Sequence, residues 1–332
     1  MRVLVIGGTL FIGRAMVEKL LARGDEIAIM HRGQGTPFGD RVREIRCDRN
    51  DVNAVRAAFS GEAFDEVYDN VYDWQRGTGA GQVVAAARAA SHPGLRRYVF
   101  TSSVAVYGDG LDHCEGDPLV PADFPNRYGA EKAESERALF KLQHAEGVPV
   151  TTVRPSFVYG PNNPFRREAW FWDRIMADRP VIVPGDGTRP QQYVHAAEVA
   201  EVALRAAARP ASAGSSYSLG NYPPVTQREF VELLARVAGR VARVVLVPRE
   251  KIAAAGGVMM GEGPLYFGEY LDPPPITVQG ETLSRDLGIS LAPLEDGLRA
   301  TFDWYRRQNR PRPDFTWEDH LIASSPDHRI AR

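Results

Sequence analysis

The chain begins MRVLVIGGTLFIGRAMVEKLLARG, an apolar run that stops at a glycine-bounded turn and gives way to apolar positions at helical spacing. A run without polar alternation predicts a strand covered on both faces, and so a parallel sheet with helices on either side. Glycines at a strand-to-helix turn let the backbone approach a ligand closely. The first turn of the helix adds unpaired N–H groups and a partial positive charge. That combination suits a pyrophosphate. The loop therefore marks Gly7, Thr9, Leu10, Phe11, Ile12 and Gly13 as expected dinucleotide contacts. In a GxxGxxG arrangement Gly7 and Gly13 take the outer places. Leu10 puts a side chain where a middle glycine would allow the closest approach.

The same alternation continues for about two hundred residues. Strands are predicted at 2–6, 26–31, 43–46, 66–70, 97–101 and 149–154, with helices at 12–22, 52–59, 79–90 and 128–145. Strands joined by crossover helices make a doubly wound α/β sheet of Rossmann type. After Arg154 prolines and aromatics crowd the chain, as in RPSFVYGPNNPFRREAWFW and GEGPLYFGEYLDPPP. The texture predicts a smaller, discontinuous C-terminal substrate lobe over the carboxyl ends of the strands. The nucleotide domain falls at 1–160, rejoined by parts of about 189–222, where the chain returns to the sheet near 192–194 and 216–219. The lobe takes 161–188 and 223–310. Residues 311–332 form a polar, proline-rich tail, with Phe315 and Trp317 as its anchoring contact.

Composition narrows the partners. Forty basic and 42 acidic side chains leave a net charge of −2, which gives no general electrostatic reason to bind nucleic acid or an anionic membrane. Cys47 and Cys114 are too few for a disulfide framework and lie in no zinc-binding spacing, so no metal is expected and a reducing cytoplasm is. The N-terminal apolar run is far shorter than a signal-peptide core or a membrane span.

Two further segments bear on the nucleotide. The second strand ends MHRGQG, so His31 and Arg32 stand where an acidic residue would accept from a ribose 2′-hydroxyl. A guanidinium suits a 2′-phosphate better, which tilts the choice from NAD toward NADP. The third strand runs into CDRND, where the Asp48 carboxylate is placed to accept from the adenine amino group, with Arg49 beside it.

The reacting groups come next. The fifth strand leads into TSSVAVYG, and YGAEK follows, with Tyr128 and Lys132 four apart on one helix face. An ammonium near a phenol stabilises the phenolate and lowers the tyrosine pKa from about 10 toward neutrality. Tyr128 can then act as acid or base, while Ser103 hydrogen-bonds the substrate oxygen on which the proton is exchanged.

These motifs together resemble the extended short-chain dehydrogenase/reductase superfamily, in the NAD-dependent epimerase/dehydratase branch that includes UDP-galactose 4-epimerase. EGDPLVPADFPNRYGAEK is similar to the acidic-proline lead-in of that branch, and RPSFVYGP to its strand-end motif. The resemblance implies that Pro155 and Val158 lie by the nicotinamide and that Asn162 lines the substrate cleft. It also implies a homodimer built on the helices 79–90 and 128–145. Sugar dehydratases of the family follow the serine or threonine position with an acidic pair. Val104 and Ala105 stand there in this chain and cannot transfer a proton. Many relatives that act on nucleotide-sugars carry an arginine–aspartate pair after a GDG turn. This chain reads GDGTRPQQYVH, with Gln191 and Gln192 at those places and Tyr193 following. A neutral glutamine does not replace a phosphate-pairing guanidinium. Arg166, Arg167 and Arg189 are the substitutes at hand.

Ser103, Val104, Asn162, Gln191 and Tyr193 are thus the expected substrate residues. The aromatic run Trp170 to Trp172 fits a sugar-stacking surface and core packing equally well. His195 reads as a structural hydrogen-bonder. Three functions remain: an NAD(P)-dependent epimerase of a sugar or nucleotide-sugar; an NADPH-dependent ketoreductase on a small metabolite; and RNA binding, because GGTLFIG and MHRG also resemble chloroplast stem-loop RNA-binding relatives. The complete set Ser103, Tyr128 and Lys132 favours an enzyme.

Overall fold

The computed structural model describes residues 1–311, 313–324 and 330–331, with the side chains of Trp74 and of the last two left aside. The chain divides into two compact units. One comprises Met1–Val158, Val194–Gly220 and Ile276–Leu291; the other comprises Tyr159–Tyr193, Asn221–Pro275 and Ala292–Arg332.

The first unit is built on a seven-stranded sheet. Its strands are β1 (Arg2–Ile6), β2 (Glu26–His31), β3 (Arg43–Arg46), β4 (Glu66–Asp69), β5 (Arg97–Thr101), β6 (Val150–Pro155) and β7 (Ser216–Leu219). Every pairing in it is parallel and the order is β7-β6-β5-β4-β1-β2-β3. Its helices are α1 (Phe11–Arg23), α2 (Val52–Phe59), α3 (Ala80–Ala90), α4 (Arg127–Glu146) and α5 (Ala196–Ala208).

The period of two in a strand explains both cores. Val3 and Val5 of β1 pack with Met16, Val17 and Leu20 of α1 and Val199, Val202 and Ala203 of α5. Leu4 and Ile6 point to the other face, against Val55 of α2, Val83 and Ala87 of α3, and Leu139 and Leu142 of α4. With apolar layers on both faces, β1 has no need of polar residues. Because β1 pairs with β2 on one side and β4 on the other, the strand order reverses there. A crevice opens at the carboxyl ends, the usual ligand site of such sheets.

Of the two expected returns to the sheet, only Ser216–Leu219 joins it, in register with Thr152–Pro155. Tyr193–His195 is a separate short strand, because the edge beside β6 is already filled.

The second unit pairs Val181–Pro184 with Val244–Val247 in parallel and Pro190–Gln191 with Val225–Thr226 in antiparallel fashion. Its helices include Glu168–Met176, Gln227–Val237 and Leu294–Tyr305. Part of the expected tail, residues 312, 325–329 and 332, lies outside the described residues. The rest is not loose. Thr316–Ala323 is a helix, Trp317 Nε1 donates to Ala255 O at 2.8 Å, and Glu318 forms a buried ion pair with Arg174.

Candidate active site

The turn after β1 is fixed by sterics. Gly7 has φ +86°, and a Cβ there would lie 2.1 Å from Val71 Cγ2. A Cβ on Gly13 would lie 2.0 Å from the carbonyl oxygen of Gly7. Only glycine lets the first turn of α1 close against the end of β1. Leu10 is the extended N-cap residue of α1, and its side chain is 48% exposed. Phe11 and Ile12 turn their side chains to the core beneath. A cleft of 380 Å³ opens here, lined by Gly7, Thr9, His31, Arg32, Asp48, Arg49, Asp73 and Thr78 among others. Gly7 and Thr9, on the turn that leads into α1, line this cleft, and backbone at the start of a helix fits the diphosphate of a nicotinamide dinucleotide.

The polar residues around this cleft have distinct fates. His31 is buried; its Nδ1 accepts from Gly33 N at 3.1 Å and its Nε2 lies 2.9 Å from Glu44 Oε2, so the ring is bound to the β2–β3 edge. Arg32 stays at the mouth, 3.4 Å from an Asp73 carboxylate oxygen and 3.8 Å from one of Asp48. Asp48 also accepts from Asn50 N at 3.0 Å. Arg49 turns inward to an ion pair with Asp69.

On α4, Asn126 caps the helix by accepting from Gly129 N, and Tyr128 and Lys132 follow one turn apart. Lys132 is 3% exposed and donates from Nζ to Thr101 O at 2.5 Å. Its ammonium sits 4.0 Å from the ring centroid of Tyr72, 4.6 Å from that of Phe100 and 5.9 Å from that of Tyr128. Burial pushes its pKa down to about 7, with Asp69 pulling it back up. The Tyr128 ring meets Tyr72 edge-on at 6.2 Å. Ser103 caps the turn Val104–Tyr107, its Oγ accepting from Ala105 N at 3.2 Å. Val104 and Ala105 are buried. Pro155 ends β6, and Val158 packs into the core shared by α1 and α5.

Sequence reasoning passed over the residues behind Lys132. Asp69 ends β4 fully buried and accepts from Tyr98 Oη at 2.6 Å; Tyr72 Oη lies 3.0 Å from Ser135 Oγ. The available signal was a charged residue closing the strand EVYD, in a sheet covered on both faces.

In the second unit the expected substrate residues are tied into its own structure. Gln191 Nε2 donates to Leu271 O at 2.5 Å and its Oε1 accepts from Tyr193 Oη at 2.7 Å, both residues being buried. The Tyr193 ring stacks on Phe230 at 4.0 Å. Asn162 is half-buried with φ +61°. Arg189 donates to the carbonyl and carboxylate oxygens of Asp272, and Arg167 to Glu269 O. Trp170, Phe171 and Trp172 are core, with Trp172 Nε1 donating to Leu234 O at 3.1 Å; they offer no sugar-stacking face. In the first unit His195 caps α5, its Nδ1 accepting from Ala197 N at 3.2 Å.

Comparison with known proteins bears on the family and the fold. The sequence pattern of the NAD dependent epimerase/dehydratase family matches residues 3–220. The chloroplast stem-loop binding protein of 41 kDa b from Arabidopsis thaliana is 29% identical over 254 residues. That match takes in 72% of this chain and only 63% of the relative's length. A UDP-glucose 4-epimerase from Streptomyces lividans is 27% identical over 283 residues, covering 74% of this chain and 84% of that protein. In the solved structure of the UDP-glucose 4-epimerase of Thermus thermophilus complexed with NAD, the same fold superposes with a TM-score of 0.71. There the identity is 24%, over 92% of this chain and 99% of that one. Since the matched residues run from within β1, across the glycine turn, through β7, the chain belongs to the NAD-dependent epimerase/dehydratase family, a family of extended short-chain dehydrogenase/reductase enzymes.

Proposed function

We propose that this protein is an NAD(P)-dependent epimerase of a sugar or nucleotide-sugar, working by reversible hydride transfer at a secondary alcohol with help from Ser103, Tyr128 and Lys132. The observation that carries the reading is the burial of the Lys132 ammonium among the rings of Tyr72, Phe100 and Tyr128. A buried cation beside a phenol favours the phenolate. Tyr128 is then equipped to take the proton from the substrate hydroxyl and to return it. The Ser103 Oγ accepts from the backbone of Ala105, which leaves its own hydrogen to donate to the substrate oxygen. The cofactor, when bound, supplies the hydride acceptor and donor. Gly7, Thr9 and Gly13 would hold its diphosphate and Arg32 and Asp48 its adenosine end. The apolar Val104 and Ala105 cannot transfer the proton that water loss needs, which disfavours dehydration.

Arg32 at the end of β2 supports NADP, since a guanidinium pairs with a 2′-phosphate. It also favours the second reading, an NADPH-dependent ketoreductase on a small metabolite. The enclosure of Gln191, where relatives carry a phosphate-binding arginine, supports a substrate without a nucleotide.

Incubation with UDP-glucose or UDP-galactose and either cofactor separates the readings. Formation of the 4-epimer with no net change in reduced-nicotinamide absorbance is expected. Absorbance change in proportion to product from a ketone panel, with both sugars inert, overturns the epimerase and favours the reductase.

A further inference from the structure

Behind Lys132 lies a pair of charges that the reaction above does not use. Arg49, just after β3, is 4% exposed and forms an ion pair through Nη2 with Oδ2 of the fully buried Asp69. The same oxygen accepts from Tyr98. Nε and Nη1 of Arg49 and Oδ1 of Asp69 are buried with no hydrogen-bond partner among the described residues. Removing one ion of such a pair is costly, whereas apolar residues of like volume replace the whole pair at little cost. Stability alone is therefore a weak reason for placing these charges here. Arg49 also lines the nucleotide cleft. Asp69 stands on β4 in register with Phe100 of β5, whose ring lies 4.6 Å from the Lys132 ammonium, so the pair is close enough to act on that charge.

We propose that Arg49 and Asp69 are positioning residues that together fix the charge carried by Lys132. The carboxylate favours the ammonium and the guanidinium opposes it, and water is too scarce around them to screen either. The proposal rests on the reading of Lys132 as the partner of Tyr128. The other groups around the lysine are accounted for. Burial holds Tyr98 and Tyr72 protonated, by raising both well above the usual phenol range. Glu136 favours the ammonium but is itself held by Arg154, whose Nη2 donates to it at 2.6 Å. Tyr128 is the remaining neighbour.

The chain contains four lysines, Lys19, Lys132, Lys141 and Lys251. Titration of ¹³Cε-lysine protein by NMR therefore resolves Lys132, assigned by the signal lost in Lys132→Met. Arg49→Met is expected to raise its midpoint by about one pH unit or more, a tenfold gain in proton affinity. Asp69→Asn is expected to lower it by about as much. A purely structural pair behaves otherwise: either change admits water and moves the midpoint upward. A midpoint that stays put, or that rises in Asp69→Asn, overturns the proposal. The fall in Asp69→Asn is the result that a structural pair does not produce, and a midpoint that stays put or falls in Arg49→Met overturns the proposal even where Asp69→Asn lacks a native circular dichroism spectrum. The measurement needs no substrate. If the proposed activity is wrong while the two midpoints still move apart, the charge pairing stands.

Discussion

Tyr128 and Lys132 were legible as a pair because four residues is one helical turn, and Ser103 because it follows a strand. What spacing cannot convey is depth. Lys132 is enclosed by residues from β5 and from the segment after β4, far away in sequence. Its titration couples that burial to stability. In the unfolded chain a lysine keeps its proton to about pH 10.4; in the folded protein Lys132 releases it at about 7. Between those values the unfolded state binds the extra proton, so this residue makes stability rise with pH. The gain is at most about 1.4 kcal/mol per pH unit, and it is gone once the pH falls below the folded value. Urea unfolding at pH 7 and pH 9 should show a steeper gain for the wild type than for Lys132→Met; parallel lines refute the burial. Tyr128→Phe is expected to lower turnover by about 10² to 10⁴ while nucleotide binding, followed by protein fluorescence, persists.

The elements were legible in proportion to how much of their order is local. Strands such as β1 and β2 showed as apolar runs because both their faces are buried, the edge strand β3, REIR, being mostly exposed, and the helices showed helical spacing. The return expected at 192–194 is instead the separate strand Tyr193–His195, because a strand that short carries no record of its neighbour. The helix Thr316–Ala323 was missed for a related reason: its sequence is too polar to announce a buried face. Beside the Trp317 hydrogen bond and the buried Leu321, a buried ion pair holds it, with Arg174 and Glu318 both buried and the guanidinium carbon 3.4 Å from the Trp170 ring centroid. Glu318→Ala strands the Arg174 charge and is expected to cost about 3–5 kcal/mol. Glu318→Gln, which keeps one acceptor, should cost less. Thermal or urea unfolding measures both, and an unchanged midpoint for Glu318→Ala means that the helix docks by other contacts.

At the scale of the whole molecule, a ligand that binds only the folded chain raises its stability, by about 2.7 kcal/mol when present at a hundred times its Kd. This turns the NADP reading into a measurement that needs no substrate. Arg32 is not an isolated cation: Asp48 and Asp73 stand within 4 Å of it, and Arg76 lies 3.7 Å from each of them. The four charges nearly cancel, so a 2′-phosphate gains from Arg32 only what the two carboxylates leave. NADP⁺ is therefore expected to raise the melting temperature more than NAD⁺ at equal concentration, but by a modest margin. Arg32→Ala should erase that margin. Asp73→Asn should widen it, by removing a negative charge that competes for Arg32 and repels the phosphate. A larger shift with NAD⁺, unaffected by Arg32→Ala, would assign the cleft to NAD. The carboxylate that reads the ribose would then have to come from Asp48 or Asp73, because β2 ends in none.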